Sequence, residues 1–123
     1  MPDDELLASI RAAWESADLD AVTALLAPDV TWGAPGDPRP ACQSREQVRS
    51  WYERSFNRGV RGSVVEVCRV GEHVVVGLLV TGNDDAEAYG GQVERWQVLA
   101  IRDGLIGDIR GYEDRGSAVA AAT

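Results

Sequence analysis

The chain is expected to fold as α+β, with helices packed on one face of a curved, mostly antiparallel sheet. Three observations predict this. Apolar residues recur at helical spacing through the first half, from Leu6 to Phe56. The second half runs in β-like stretches around Gly71-Glu72 and Asp103-Gly104, both two-residue hairpin signals. Helices first and a meander of strands afterwards bring the helices together on one side of the sheet. With 123 residues and no linker or repeat, the chain fits a single domain spanning residues 1–123.

The elements follow in order. From about Asp3 to Ala17, Leu6, Ile10, Ala13, Trp14 and Ala17 share a helical face, with Leu7 beside them. Asp3, Asp4 and Glu5 put negative charge where the helix dipole favours it. Asp18 reads as the N-cap of a second, short helix. Its buried face would be Leu19, Val22, Leu25 and Leu26, and Pro28 would end it. Val30-Thr31-Trp32 is a short β-like run, and the prolines at 35, 38 and 40 make Gly33 to Ala41 a loop. Ser44-Arg45-Glu46-Gln47 has the capping-box pattern and opens a third helix to about Phe56, with Val48, Trp51, Tyr52 and Phe56 as its apolar stripe. Strands are predicted over Ser63–Val70, His73–Thr81, Gln92–Arg102 and Leu105–Tyr112, with Gly82–Gly91 as a polar loop. The Ala-rich run Ala118–Ala122 is low in complexity and is assigned no element. Three N-terminal helices on a curved sheet make a cone, and the mouth of a cone is a natural ligand cavity.

Composition excludes much chemistry. Twenty Asp and Glu stand against twelve basic residues, all of them Arg, for a net charge of −8. Without Lys there is no Schiff base and no phosphate-loop lysine. One His, His73, and two distant cysteines, Cys42 and Cys68, do not make a four-ligand zinc site. No metal and no cofactor are therefore expected, and carboxylates, Arg, Tyr and polar amides remain for function. The tightest basic grouping, Arg54, Arg58 and Arg61, reads as a solvated helix end, so nucleic acid is not an expected partner. Net negative charge disfavours anionic membranes, and the longest apolar stretch, Val74 to Val80, is far shorter than the roughly 20 residues a spanning helix needs. The acidic segment Met1 to Glu5 is the opposite of a signal peptide's basic start, so the expected compartment is the cytoplasm, with both cysteines reduced.

Three stretches together carry a resemblance. They are Asp18-Leu19-Asp20 through Leu25 to Trp32, Ser44 to Val48 with Trp51-Tyr52, and Val98 to Ile106 with Gly111-Tyr112. In order and spacing they resemble the SnoaL-like branch of the nuclear transport factor 2-like superfamily, over nearly the whole chain. That superfamily holds ketosteroid isomerases, polyketide cyclases, limonene epoxide hydrolases and many non-enzymes, so fold does not settle function. The resemblance implies a homodimer through the outer sheet face, where Trp96, Val98, Ala100, Arg110 and Tyr112 would alternate as contacts.

The catalytic positions of those enzymes are mostly changed here. The isomerase pattern puts its oxyanion tyrosine at Ile10, its base at Ala34 and its second acid at Gln97; a supporting tyrosine matches at Tyr52. The hydrolase spacing of Arg and Asp, two apart on one strand, falls on Arg95 and Gln97, an amide in place of the acid. Glu113 is the one carboxylate placed to oppose Arg95, while Asp108 alternates to the outer face with Arg110. Trp14, Trp32, Tyr52, Arg95 and Gln97 are the expected ligand-binding residues, and Glu113 the candidate acid-base. The expected function is binding of a small, largely apolar or amphipathic molecule without turnover. The alternative is a cofactor-independent cyclase-, isomerase- or epoxide hydrolase-like enzyme using Glu113, with Arg95 and Gln97 positioning substrate.

Overall fold

A computed structural model describes residues 3–123; Met1 and Pro2, the start of the acidic segment, lie outside the described residues. The elements are α1 (Asp3–Ser16), α2 (Leu19–Ala24), β1 (Leu26–Gly33), α3 (Arg45–Asn57), β2 (Arg61–Val70), β3 (His73–Thr81), α4 (Asp84–Ala88), β4 (Val93–Arg102), β5 (Leu105–Tyr112) and α5 (Arg115–Ala122). The strands form one sheet in the order β1-β5-β4-β3-β2. β2 to β5 are antiparallel neighbours, and β1 adds to β5 in parallel. Register shifts at Leu26/Thr31, Val64/Glu66 and Ala100/Ile101 bend the ladder. The architecture is thus the α+β arrangement of helices on a curved, mostly antiparallel sheet.

Local chemistry explains the element ends. Asp18 caps α2 by accepting from the N–H groups of Asp20 and Ala21, and Ser44 caps α3 by accepting from Gln47. Gln47 reaches back to the N–H of Gln43, one residue beyond the box position at Ser44. At the β4–β5 turn both Asp103 and Gly104 have positive φ, as a type I′ hairpin requires. The Glu15 carboxylate accepts from the Val64 N–H at 2.7 Å, which covers the bulge of edge strand β2.

Three segments differ from the sequence reading. The second helix stops at Ala24, and Leu26 begins β1, which runs through Pro28. Proline is tolerated because β1 is an edge strand whose register breaks at that point. The loop Gly82–Gly91 contains α4, capped by Asn83, whose side chain accepts from Ala86 N–H at 2.7 Å. The Ala-rich run forms α5, capped by Asp114 through Ser117 N–H at 2.7 Å. Alanine is the strongest helix former, and its small side chain lets the helix lie close to the sheet.

Helix α5 changes the reading of the outer face. The inner core joins α1 to α3 with the sheet through Leu6, Ile10, Val48, Val76, Leu99 and Ile109. A second, outer cluster joins Ala118 and Ala122 of α5 to Val75, Trp96 and Val98. Trp96 and Val98, expected as homodimer contacts, are therefore buried within the chain at 2% and 6% exposure. Arg110 is also engaged, by Asp108 and by the carbonyls of Ala34 and Asp37. His73, at the start of β3, is half-buried with Nδ1 3.1 Å from the Ala122 carbonyl oxygen.

The start of α5 is tied down by two Arg115–Glu66 hydrogen bonds, at 2.9 and 3.0 Å. The Arg115 hydrogen bond holds the Glu66 carboxyl below the usual carboxylate range. A depressed carboxylate stabilises the fold above its unfolded pKa, about 4.3, and the contribution is lost as pH falls through the lowered value. The NMR chemical shift of Arg115 Nε–H should keep its hydrogen-bonded value at higher pH and move toward the free value below about pH 4, as Glu66 protonates. In Glu66→Gln it should lack that acid-dependent step.

Candidate functional site

Between α1, α2, α3 and the inner sheet face lies a cavity of about 390 Å³. That volume is in the range of small-molecule sites. Helix α1 contributes Ala13 and Trp14, α3 contributes Trp51, Tyr52, Ser55 and Phe56, and β1 contributes Trp32. Strand β4 supplies Arg95 and Gln97, β5 supplies Gly111, and Glu113 follows just beyond it. All six residues singled out in the sequence, Trp14, Trp32, Tyr52, Arg95, Gln97 and Glu113, line this space.

The aromatic side chains form one continuous wall. Trp32 lies 4.4 Å from Trp51 and 4.8 Å from Tyr52 between ring centroids, and Trp14 meets Tyr52 edge-on at 6.5 Å. Such tilted and edge contacts suit the ring quadrupoles. Trp51 is 41% exposed and continues the wall to the surface.

Polar groups divide into an inner pair and a rim. At the inner end the Trp14 Nε1–H donates to Gln97 Oε1 at 2.9 Å, a buried bond between helix and sheet. The Tyr52 hydroxyl is buried beside them and makes no hydrogen bond. Burial pushes its pKa well above the ordinary tyrosine value, against smaller opposing effects of Gln97 and Trp14. The unfolded chain ionises near pH 10 while the folded one does not, so stability is full below about pH 10 and falls as pH rises beyond it. Alkaline titration followed by tyrosinate absorbance should show Tyr52 ionising together with unfolding, and Tyr52→Phe should remove that coupled step.

Charged groups sit at the rim. Arg95 pairs with Asp85 of α4 at 2.8 Å and donates to its neighbour's carbonyl. The expected Arg95–Glu113 opposition is therefore not an ion pair. Glu113 is exposed, so its carboxylate sits in water at the rim and not inside the cavity. Arg61 lies over the Phe56 ring at 3.6 Å and donates to the carbonyls of Phe56 and Val60. Asp108 is on the opposite sheet face, bonded to Arg110 and Thr31. Ser55, Asn83 and Arg61 also line the cavity without having been singled out. Only the α3 spacing of Ser55, three residues beyond Tyr52, could have signalled one of them.

Among the described residues no three His, Cys, Asp or Glu side chains gather as a metal site would need. No helix there is long and apolar enough to cross a membrane.

A sheet wrapped over helices around one aromatic cavity defines the cystatin-like or nuclear transport factor 2-like class of fold, and solved structures agree. An uncharacterised cystatin-fold protein of Novosphingobium aromaticivorans superposes with a TM-score of 0.73 at 16% identity, over 91% of this chain and 98% of that one. A provisionally assigned polyketide cyclase of Sinorhizobium meliloti gives 0.66 at 20% identity, over 91% and 95%. A hypothetical protein of Catenulispora acidiphila with a ketosteroid isomerase-like fold, solved with trimethylamine, gives 0.65 at 22% identity, over 96% and 92%. The SnoaL-like domain model matches residues 7–109, and the chain belongs to that family. No curated protein sequence matches it.

Proposed function

We propose that this protein binds a small, largely apolar molecule in the cavity and does not turn it over. The observation that carries this reading is the make-up of the cavity: a continuous aromatic and aliphatic wall, with a few neutral polar groups inside and charges only at the rim. Apolar walls with few polar groups favour binding and orientation. Turnover needs a group able to move a proton, and the inner Gln97 amide has no useful pKa near neutrality. The enzymatic alternative rests on Glu113, which lines the rim but is exposed and unpaired with Arg95. Cytoplasmic residence belongs to the same proposal and rests on the composition and the two free cysteines. A homodimer through the outer face would have to use Ala100 and Tyr112, the expected contacts that α5 leaves partly open.

Gly111 provides the test. A Cβ there would meet nothing within 4 Å, so a larger side chain can grow into the cavity beside Gln97 without striking backbone. Titration with 2-isopropenylnaphthalene, followed by indole fluorescence, should show saturable binding to the unaltered chain. Gly111→Phe should weaken it at least about tenfold, or roughly 1.4 kcal/mol, with the thermal midpoint preserved. Equal binding by a well-folded Gly111→Phe would move the ligand out of this cavity.

A further inference from the structure

We propose that α4 is a gate across the mouth of the cavity and that the Arg95–Asp85 ion pair is its latch, setting how fast a ligand passes. The proposal rests on the small-molecule reading above and adds how the molecule enters and leaves.

The cavity reaches the surface on two sides, and the two differ. On the α3 side the rings of Trp51, Trp32 and Tyr52 pack on one another, with Trp51 4.4 Å from Trp32 and 5.6 Å from Tyr52 between centroids, so that wall is closed. On the other side an open groove runs between α4 and the turn from α3 into β2. Arg58, Val60, Gly82, Asn83, Asp84 and Asp85 line it, and it shares Val60 and Asn83 with the cavity. The groove is therefore continuous with the chamber, and α4 forms one of its sides.

The segment carrying α4 is built to swing. Gly82 has φ +84°, and a Cβ there would strike the Gly59 carbonyl oxygen, so this end seats directly on the opposite lip. At the other end Gly90 and Gly91 have φ +90° and +111° and open space around them. Between the glycines only Ala86 is fully buried, and the helix's own hydrogen bonds stay within the segment. Among the described residues, one side-chain bond ties the segment to the sheet. Arg95 Nη1 donates to the Glu94 carbonyl at 2.9 Å, which fixes the guanidinium on β4, and Nη2 meets Asp85 at 2.8 Å. Both partners are partly exposed, and such a pair biases an equilibrium only about two- to fivefold. That is weak for a structural tie and suits a latch that must open.

Stopped-flow indole fluorescence with 2-isopropenylnaphthalene tests this on the full chain. Asp85→Asn should raise the association and dissociation rates together, by about two- to fivefold, and leave their ratio unchanged. Asp84→Asn removes the same charge from the same helical turn without touching Arg95, and should alter neither rate. Arg95→Met should speed passage as much as Asp85→Asn, and the double variant no more than either. Hydrogen exchange of the ligand-free chain reads the latch independently. A helix of five residues does not hold its bonds once released, so the Glu87 and Gly91 amides should exchange about two- to fivefold faster in Asp85→Asn than in Asp84→Asn. Unchanged rates in Asp85→Asn overturn the gate and leave the cavity reading intact. A change in affinity without a matched change in both rates overturns it by making the pair part of the binding surface. If the probe does not bind, the cavity reading falls, and equal amide exchange in the two variants overturns the latch as well.

Discussion

Gly77→Ala should destabilise the fold by about 3 kcal/mol, a large loss for one methyl group. A Cβ at Gly77 would lie 2.5 to 2.8 Å from three atoms of the Trp96 ring, which real contacts do not reach. Gly77 faces Trp96 across the β3–β4 ladder, so the ring lies flat on the space a side chain would fill. Trp96 is 2% exposed, and its packing with α5 leaves the ring nowhere to swing. Either the indole leaves its seat or two central strands separate, and both cost packing. Urea unfolding measures the loss. A double-mutant cycle with Trp96→Leu should give a large coupling energy, because the smaller side chain makes room for the alanine. A loss under about 0.5 kcal/mol for Gly77→Ala alone would show that the ring is not seated on the glycine.

Ala118→Asp should have an effect of similar size and a different signature. Ala118 is fully buried between α5 and the sheet, and a carboxylate there would have no partner in an apolar seam. Undocking of α5 should follow, at a cost of about 3 kcal/mol or more. The released face would present Val75, Trp96 and Val98 together, so sedimentation should reveal concentration-dependent self-association. Ala121→Asp, on the exposed side of the same helix, should change stability by no more than about 0.5 kcal/mol. If Ala118→Asp were equally harmless, α5 would not be docked as described.

The parts of the fold that were legible in sequence are those with local signals. Asp18 and Ser44 announce helices, Asp103-Gly104 announces a hairpin, and strand alternation sends Gln97 inward and Trp96 outward. The cavity residues were legible for the same reason, since Arg95, Gln97, Gly111 and Glu113 share one alternation across β4 and β5. What stayed hidden depends on tertiary context. Pro28 reads as a helix terminator, and nothing local says that its strand lies at an edge with a broken register. Alanine has too little hydrophobic contrast for Ala118 and Ala122 to mark a buried face, so nothing in the sequence distinguishes this intrachain cover over Trp96 from a partner subunit. The partner of Arg95 was equally hidden, because Asp85 lies on a one-turn helix within a turn-like segment.

The parallel pairing of β1 has a consequence for the order of assembly during synthesis. β1 has one neighbour in the sheet, β5, and Leu26 lies opposite Ile106 while Trp32 lies opposite Ile109. Trp14 likewise finds its acceptor only on β4, 83 residues away. As the chain leaves the ribosome, Trp14, Trp32 and Trp51 emerge long before either strand that completes their surroundings. Closing such long loops comes late because its entropy must be met before the contacts return anything. The ligand chamber is therefore among the last features to form, and until it closes its aromatic wall stays uncovered on the nascent chain.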